Sequence, residues 1–343
     1  MSGALRVLNP GLQTTVQDLG RIGYQALGVP VSGALDGFAL RLGNALVGNP
    51  AEKPALEILY SGPVLEVVAD TVRIAVAGVG ATLAIEGERE RLIPAWQSAS
   101  LVRGEVFQTI LGADSVCAYL AVEGGIAVPA VLGSASTFLR AGLGGFAGRA
   151  LRQGDLVPLA IERALEEPEQ HMPTPLLTTG NQPIRIILGP QQDYFAEEAV
   201  AALLDAEFHI SISADRMGMR LDGPRLRHRD GWDIVSDAIA TGAIQVPGSG
   251  QPILLLADHQ TTGGYPKIAA VISADLPVIG RRRPGDPLRF AAVTVAEAEQ
   301  LARDENQRLA ALIASFEPVT GGGLDLATLY AGNLISGVVS GRE

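Results

Sequence analysis

The sequence predicts a mainly β protein with a few helices, on three observations. Short apolar runs follow one another between Gly, Pro and Asp punctuation, with few helical periods between them. Glycine supplies 41 of the 343 residues, where the usual share of about 7% gives roughly 24. That excess favours turns, bulges and close backbone approach over a helical bundle. Apolar residues make up 47% and charged residues 18%, which suits a well-buried core and argues against disorder.

In chain order, "LDGFALRLGNALVGNP" is the first helix. Asp36 is placed to cap it, Leu35, Phe38, Leu42, Ala45 and Leu46 form one stripe, and Gly48 and Pro50 stop it. "ALEILYSGP", "VLEVVAD", "VRIAVAG" and "ATLAIEG" then read as strands at short spacing, and "SVCAYLAVEGGIAVP" continues them. Residues 162–183 are first acidic, then rich in Pro and Thr, and break every apolar period. A boundary is placed there. It separates an N-terminal domain with an N-terminal arm (1–161) from a second domain (184–292), followed by a C-terminal helix and tail (293–343). The second domain opens with the strand "IRIILGP" and the helix "DYFAEEAVAALLDAE", for which Asp193 is the expected cap. "FHISISAD", "GAIQVP" and "PILLLAD" are further strands, and Thr294 with Glu297 announces the last helix as a capping box. "RQGDLVPLA" (152–160) resembles "RRPGDPLRFA" (282–291), and apolar–Gly-Gly–apolar segments lie upstream of both, which suggests an internal duplication.

Several classes are excluded. The net charge of −11 leaves no basic footprint for nucleic acid or an anionic membrane, and the short run Arg281, Arg282, Arg283 is followed by Asp286. Cys117 is the only cysteine and sits in an apolar run, so no disulfide can form within the chain, which fits a reducing compartment. The N-terminal stretch lacks the regions of a signal peptide and no apolar run is long enough to span a membrane, so a soluble, cytoplasmic protein is expected. The four histidines are scattered and HExxH is absent, so no metal site is expected; neither a P-loop nor GxSxG occurs.

Chemistry concentrates in "DHQTTGGYPKIAAV", which follows the strand "PILLLA". His259 and Asp258 are candidates for proton transfer and Lys267 for holding an anion, with Gln260, Thr261, Thr262, Gly263, Gly264 and Tyr265 around the bound group. A polar turn satisfying its own backbone is the alternative. "TTVQDLGRIGYQALGVPVSGALD" is a second polar, irregular stretch, contributing Thr14, Thr15, Gln17, Asp18, Arg21 and Ser32 to a binding site or forming an arm packed on the other domain. In "SADRMGMRLDGP", Arg216 and Arg220 suit a carboxylate or phosphate, or else pair with Asp215 or Asp222. Gln245 either orients a ligand amide or satisfies a buried backbone group.

The segments TTVQDLGR, GAIQVPGSGQPILLLADHQTTGGYPKI and RPGD, within roughly residues 5–291, resemble the biotin-dependent carboxyltransferase family, which includes allophanate hydrolase subunit 2-like proteins. The resemblance implies two cyclophilin-like β-barrel domains. It implies the C subunit of an ATP-dependent 5-oxoprolinase, a hydrolase opening the lactam of 5-oxo-L-proline to L-glutamate. ATP with Mg2+ would be its cosubstrate, and proteins like the B and A subunits of that enzyme its partners. Two other roles remain within the resemblance: carboxyltransferase component of a urea carboxylase-like enzyme, or a binding module antagonising a kinase inhibitor. The Met-Lys-Met context of a biotinyl lysine is absent, so no biotin attachment site is expected in this chain.

Overall fold

The computed structural model describes residues 3–87, 91–173 and 182–319. Strands dominate it, and the expected pattern of short strands is found throughout.

The first lobe is built from two antiparallel sheets. One runs in the order Leu156–Pro158, Ala4–Asn9, Val64–Val67, Val106–Ile110, Thr82–Ile85, Arg91–Pro94. The other runs Gln13–Gln17, Ala55–Leu59, Cys117–Val122, Thr71–Ala77, Gln97–Val102, Gln170–His171, Glu317–Pro318. Strand periodicity explains the uninterrupted apolar run "CAYLAV". Ala118, Leu120 and Val122 face the core between the sheets, with Leu5, Leu65 and Phe107. Cys117, Tyr119 and Ala121 face the opposite side, against Phe38 and Leu42 of helix Gly37–Leu46. Asp36 caps that helix, its carboxylate accepting from Ala39 N at 2.9 Å. The last helix, Val295–Ala314, begins with the capping box of Thr294 and Glu297 and returns to this lobe, where Leu309 joins the same cluster.

The second lobe is one eight-stranded sheet: Pro287–Leu288, Phe208–Asp215, Gly218–Asp222, Ile253–Leu255, Ala243–Gln245, Lys267–Val271, Ile184–Leu188, Phe290–Ala292. Its two outermost strands are separated by Arg289 alone, so the sheet curls into a nearly closed barrel. Ile186, Phe208, Leu221, Ile244, Leu254 and Ile268 fill it. The helix expected from Asp193 spans Glu197–Asp205 instead, with Ala196 at its N-cap and no side-chain cap. Asp193 lies in the 3-10 turn Gln192–Tyr194. Tyr194 O accepts from Arg229 N at 2.8 Å and Ala196 N donates to Arg227 O at 3.3 Å, bonds that tie the segment ahead of the helix to residues 227–229.

The paired GD segments make the same turn. Gly154 N bonds Val7 O at 2.8 Å and Val7 N bonds Asp155 O at 2.9 Å. Gly285 N bonds Ile210 O at 2.7 Å and Ile210 N bonds Asp286 O at 3.1 Å. Asp155 caps Arg152 N at 2.7 Å and Asp286 caps Arg283 N at 2.8 Å. Both glycines have left-handed backbones, with φ of 88° and 91°.

The lobes meet along residues 32–36 and 113–116 of the first and 216, 257–258 and 281–283 of the second. Ser32 N donates to Ala257 O at 3.0 Å, Val116 N to Arg281 O at 3.0 Å, and Arg281 Nε to the Asp36 carboxylate at 2.6 Å.

Candidate functional site

Sheet register assembles a cavity on the outer face of the second barrel. Arg220 lies opposite Ile253, and Ile253 opposite Gln245, so the three form one row across three strands. Residues 260–265 pass over this row. Gln260 Nε2 donates to Gln245 Oε1 and Gln245 Nε2 to Tyr265 O, both at 3.3 Å. The two-stranded antiparallel ladder Asp237–Ala238/Thr262–Gly263 holds the loop, and Ile239 N donates to Thr261 O at 3.0 Å. Gly263 packs closely against two side-chain ends. A Cβ there would lie 2.8 Å from both Gln245 Nε2 and Ile239 Cδ1.

The cavity encloses about 420 Å³ and is lined by Arg220, Gln245, Gln260 and Tyr265, with Asp215, Met217, Ile212 and Ile253. Arg140 of the first lobe closes one side. Arg220 is exposed, and its side chain makes no hydrogen bond or ion pair with the described residues. Two guanidinium groups, two primary amides and an aromatic ring can bind a small planar ligand that carries an amide and a negative charge. A larger groove of about 770 Å³ beside helix Glu197–Asp205 contains none of the candidate site residues.

The other sequence candidates are placed elsewhere. His259 was expected to move protons but is fully buried. Its Nδ1 lies 2.6 Å from Gln260 O and its Nε2 3.1 Å from Thr241 Oγ1, so the neutral tautomer that donates from Nδ1 satisfies both contacts. Burial lowers its pKa, against the opposing pull of the Gln260 carbonyl and Asp258. Lys267, expected as an anion-holding cation, is buried and bound to Asp237 Oδ2 at 2.8 Å. Asp258 is also engaged: Arg216 Nε reaches its Oδ2 at 2.8 Å and Arg216 Nη2 its Oδ1 at 3.2 Å.

Arg216 was expected beside Arg220 as a ligand contact. It points the other way because it sits in the two-residue turn 216–217 between strands Phe208–Asp215 and Gly218–Asp222, outside the alternation that turns Arg220 outward. Its guanidinium is bonded to Glu57, to Asp258 and, at 2.7 Å, to Gly33 O. Burial opposes its charge, but Glu57 and then Asp258 outweigh this and raise its pKa. Glu57 also accepts from Tyr119 Oη at 2.6 Å and Leu35 N at 2.9 Å. The sequence reading missed Glu57 and Tyr119; the polar residue inside each apolar strand was the available signal.

None of the residues from the 14–32 segment lines the cavity. Thr14 donates to Pro10 O at 2.7 Å, and Gln17 bonds Thr15 Oγ1 and Thr137 O, each at 3.1 Å. Asp18 accepts from Ser134 Oγ and Ala135 N at 2.6 Å each, and from Ser136 Oγ. Arg21 is buried against Ser136 O, and burial lowers its pKa despite Asp18 and Asp258. Ser32 adopts φ of 55° at the lobe junction. The segment therefore packs as an arm and lobe connector. Arg140 was also missed; it is an arginine at the edge of the glycine-rich "GLGGFAG".

Comparison with known proteins agrees with this architecture. Residues 27–292 match the family model described as carboxyltransferase domain, subdomain A and B. The C subunit of 5-oxoprolinase from Haemophilus influenzae is 35% identical over 87% of this chain and 94% of its own length. That from Escherichia coli is 36% identical over 89% of this chain and 96% of its own. The crystal structure of the Kluyveromyces lactis urea carboxylase superposes with a TM-score of 0.81 at 30% identity, over 91% of this chain and 29% of that one. Fold and cavity thus define a β-barrel protein of carboxyltransferase architecture. The chain belongs to the biotin-dependent carboxyltransferase family.

Proposed function

We propose that the chain is the C-type subunit of a multi-subunit, ATP-dependent 5-oxoprolinase. Sequence similarity carries this reading: the chain is 35% and 36% identical to two 5-oxoprolinase C subunits, against 30% to the urea carboxylase. The cavity chemistry supports it. A lactam presents one N–H and one carbonyl, which a glutamine amide complements, and 5-oxoproline adds a carboxylate, which Arg220 suits.

An amide is a poor electrophile, so cleavage at neutral pH needs its oxygen activated, and ATP is the proposed source of that activation. ATP and Mg2+ enter this reading through the assembled complex, because the cavity offers two arginines but no phosphate-cradling loop. The tasks left to this chain are to hold the ring, orient its carbonyl and exclude water.

The test is reconstitution with B-like and A-like partner subunits, followed by measurement of ATP-dependent glutamate formation from 5-oxo-L-proline. Arg220→Ala is expected to raise KM about tenfold or more. Absence of glutamate from the wild-type complex would discard the proposal. A second reading, transfer of a carboxyl group from a separate biotinyl carrier to urea or a related amide, is favoured by the superposition on the urea carboxylase. Carboxylation of urea by the chain with such a carrier would establish it instead. Equilibrium dialysis with ATP, on the chain and on the complex, locates the nucleotide.

A further inference from the structure

The cavity is not the property of one lobe. Arg140 belongs to the 3-10 turn Leu139–Ala141 of the first lobe, and Arg220 to the second barrel, yet both line it. Arg140 Nη2 stands 3.9 Å from Asp215 Oδ2, at the outer limit of an ion pair, and both side chains are about two-thirds exposed (65% and 64%). An exposed pair at that distance is worth little. Asp215 is otherwise engaged, its Oδ1 accepting from Met217 N at 2.7 Å and Gly218 N at 3.2 Å. Its position is therefore fixed by the turn, whereas the Arg140 side chain has no other hydrogen bond or ion pair among the described residues.

We propose that Arg140 is a specificity-determining residue delivered across the lobe junction, which exchanges its loose contact with Asp215 for the carboxylate of a small cyclic amide. Arg140 and Arg220 then clamp the carboxylate from two lobes while Gln245 and Gln260 face the amide. Bidentate guanidinium contact with a carboxylate is short and charge-assisted, so it outcompetes a 3.9 Å exposed pair. The buried Arg216–Glu57 link keeps the lobes in register, so the clamp is set by the fold. The proposal rests on the lactam reading above and names the group that selects the substrate.

The experiment is calorimetric titration of the full chain with 5-oxo-L-proline and with 2-pyrrolidinone, the same ring without the carboxylate. Arg140→Ala is expected to weaken 5-oxo-L-proline about tenfold or more and to leave 2-pyrrolidinone unchanged. Arg140→Lys should recover part of the loss, and Asp215→Asn should tighten 5-oxo-L-proline by freeing the arginine. Equal weakening of both ligands, no change in either, or no binding of 5-oxo-L-proline to the wild-type chain overturns the proposal. Binding with the expected Arg140 dependence, but no turnover in the reconstituted complex, would retain the clamp and discard the enzyme assignment.

Discussion

Arg216 and Glu57, 159 residues apart, form a buried ion pair that joins the two lobes, with side chains 3% and 0% exposed. Asp258 shares the same guanidinium, so one cation holds two buried carboxylates. Arg216→Met leaves those carboxylates without a counter-charge, and breaking such a pair costs about 3–5 kcal/mol. The denaturation midpoint is expected to fall accordingly, and Glu57→Gln added to Arg216→Met should restore part of it. A midpoint unchanged by Arg216→Met would show that the network does not hold the lobes.

His259 makes stability depend on pH. Its folded-state pKa lies below the ordinary value near 6.5, so below about pH 6.5 the unfolded chain binds a proton that the folded chain refuses. Its contribution is therefore present in full above that pH and declines as pH falls toward the depressed folded pKa. Denaturation from about pH 7.5 to about pH 5 should show this decline, and His259→Gln should flatten it. A wild-type profile matching that of His259→Gln would contradict a buried neutral imidazole.

Gly263→Ala tests the cavity wall. The new methyl must displace the Gln245 amide, the Ile239 methyl, or both. Displacement of the Gln245 amide breaks its 3.3 Å bond to Tyr265 O. Both atoms are ends of flexible side chains, so the cost is expected at or below the low end of the about 1–3 kcal/mol of overpacking. Affinity for 5-oxo-L-proline is expected to drop in the same calorimetric titration, while circular dichroism stays that of the wild type.

The duplicated turn predicts matched costs. Gly154 and Gly285 share a left-handed backbone and have open space at Cβ, so alanine meets conformational strain and no clash. Each substitution should destabilise its lobe by about 1–2 kcal/mol. Urea denaturation giving a large loss at one site and none at the other would break the structural equivalence.

Much of the fold was legible because it is local. Asp36 and Thr294 cap where expected, since a cap needs only a side chain and the next three amides. Asp193 does not, because bonds from Arg229 and Arg227 delay the helix, and those partners lie more than thirty residues away. The site was legible in part. The loop after "PILLLA" does supply Gln260 and Tyr265 to the cavity, and Arg220 and Gln245 were found as well. His259, Lys267 and Asp258 were singled out by their chemistry; the structure buries them against Thr241, Asp237 and Arg216, outside the cavity lining.

The sequence by itself determined a β protein, its strand positions, the family resemblance and the loop around position 260. Those depend on periodicity, turn chemistry and contiguous motifs, which are written in neighbouring residues. Only the tertiary structure decided that Arg216 turns inward to Glu57 while Arg220 faces the cavity, and that Arg140 arrives from the other lobe. Side-chain direction depends on sheet register and on which lobe surface lies opposite, and both are set by contacts between residues far apart in the chain.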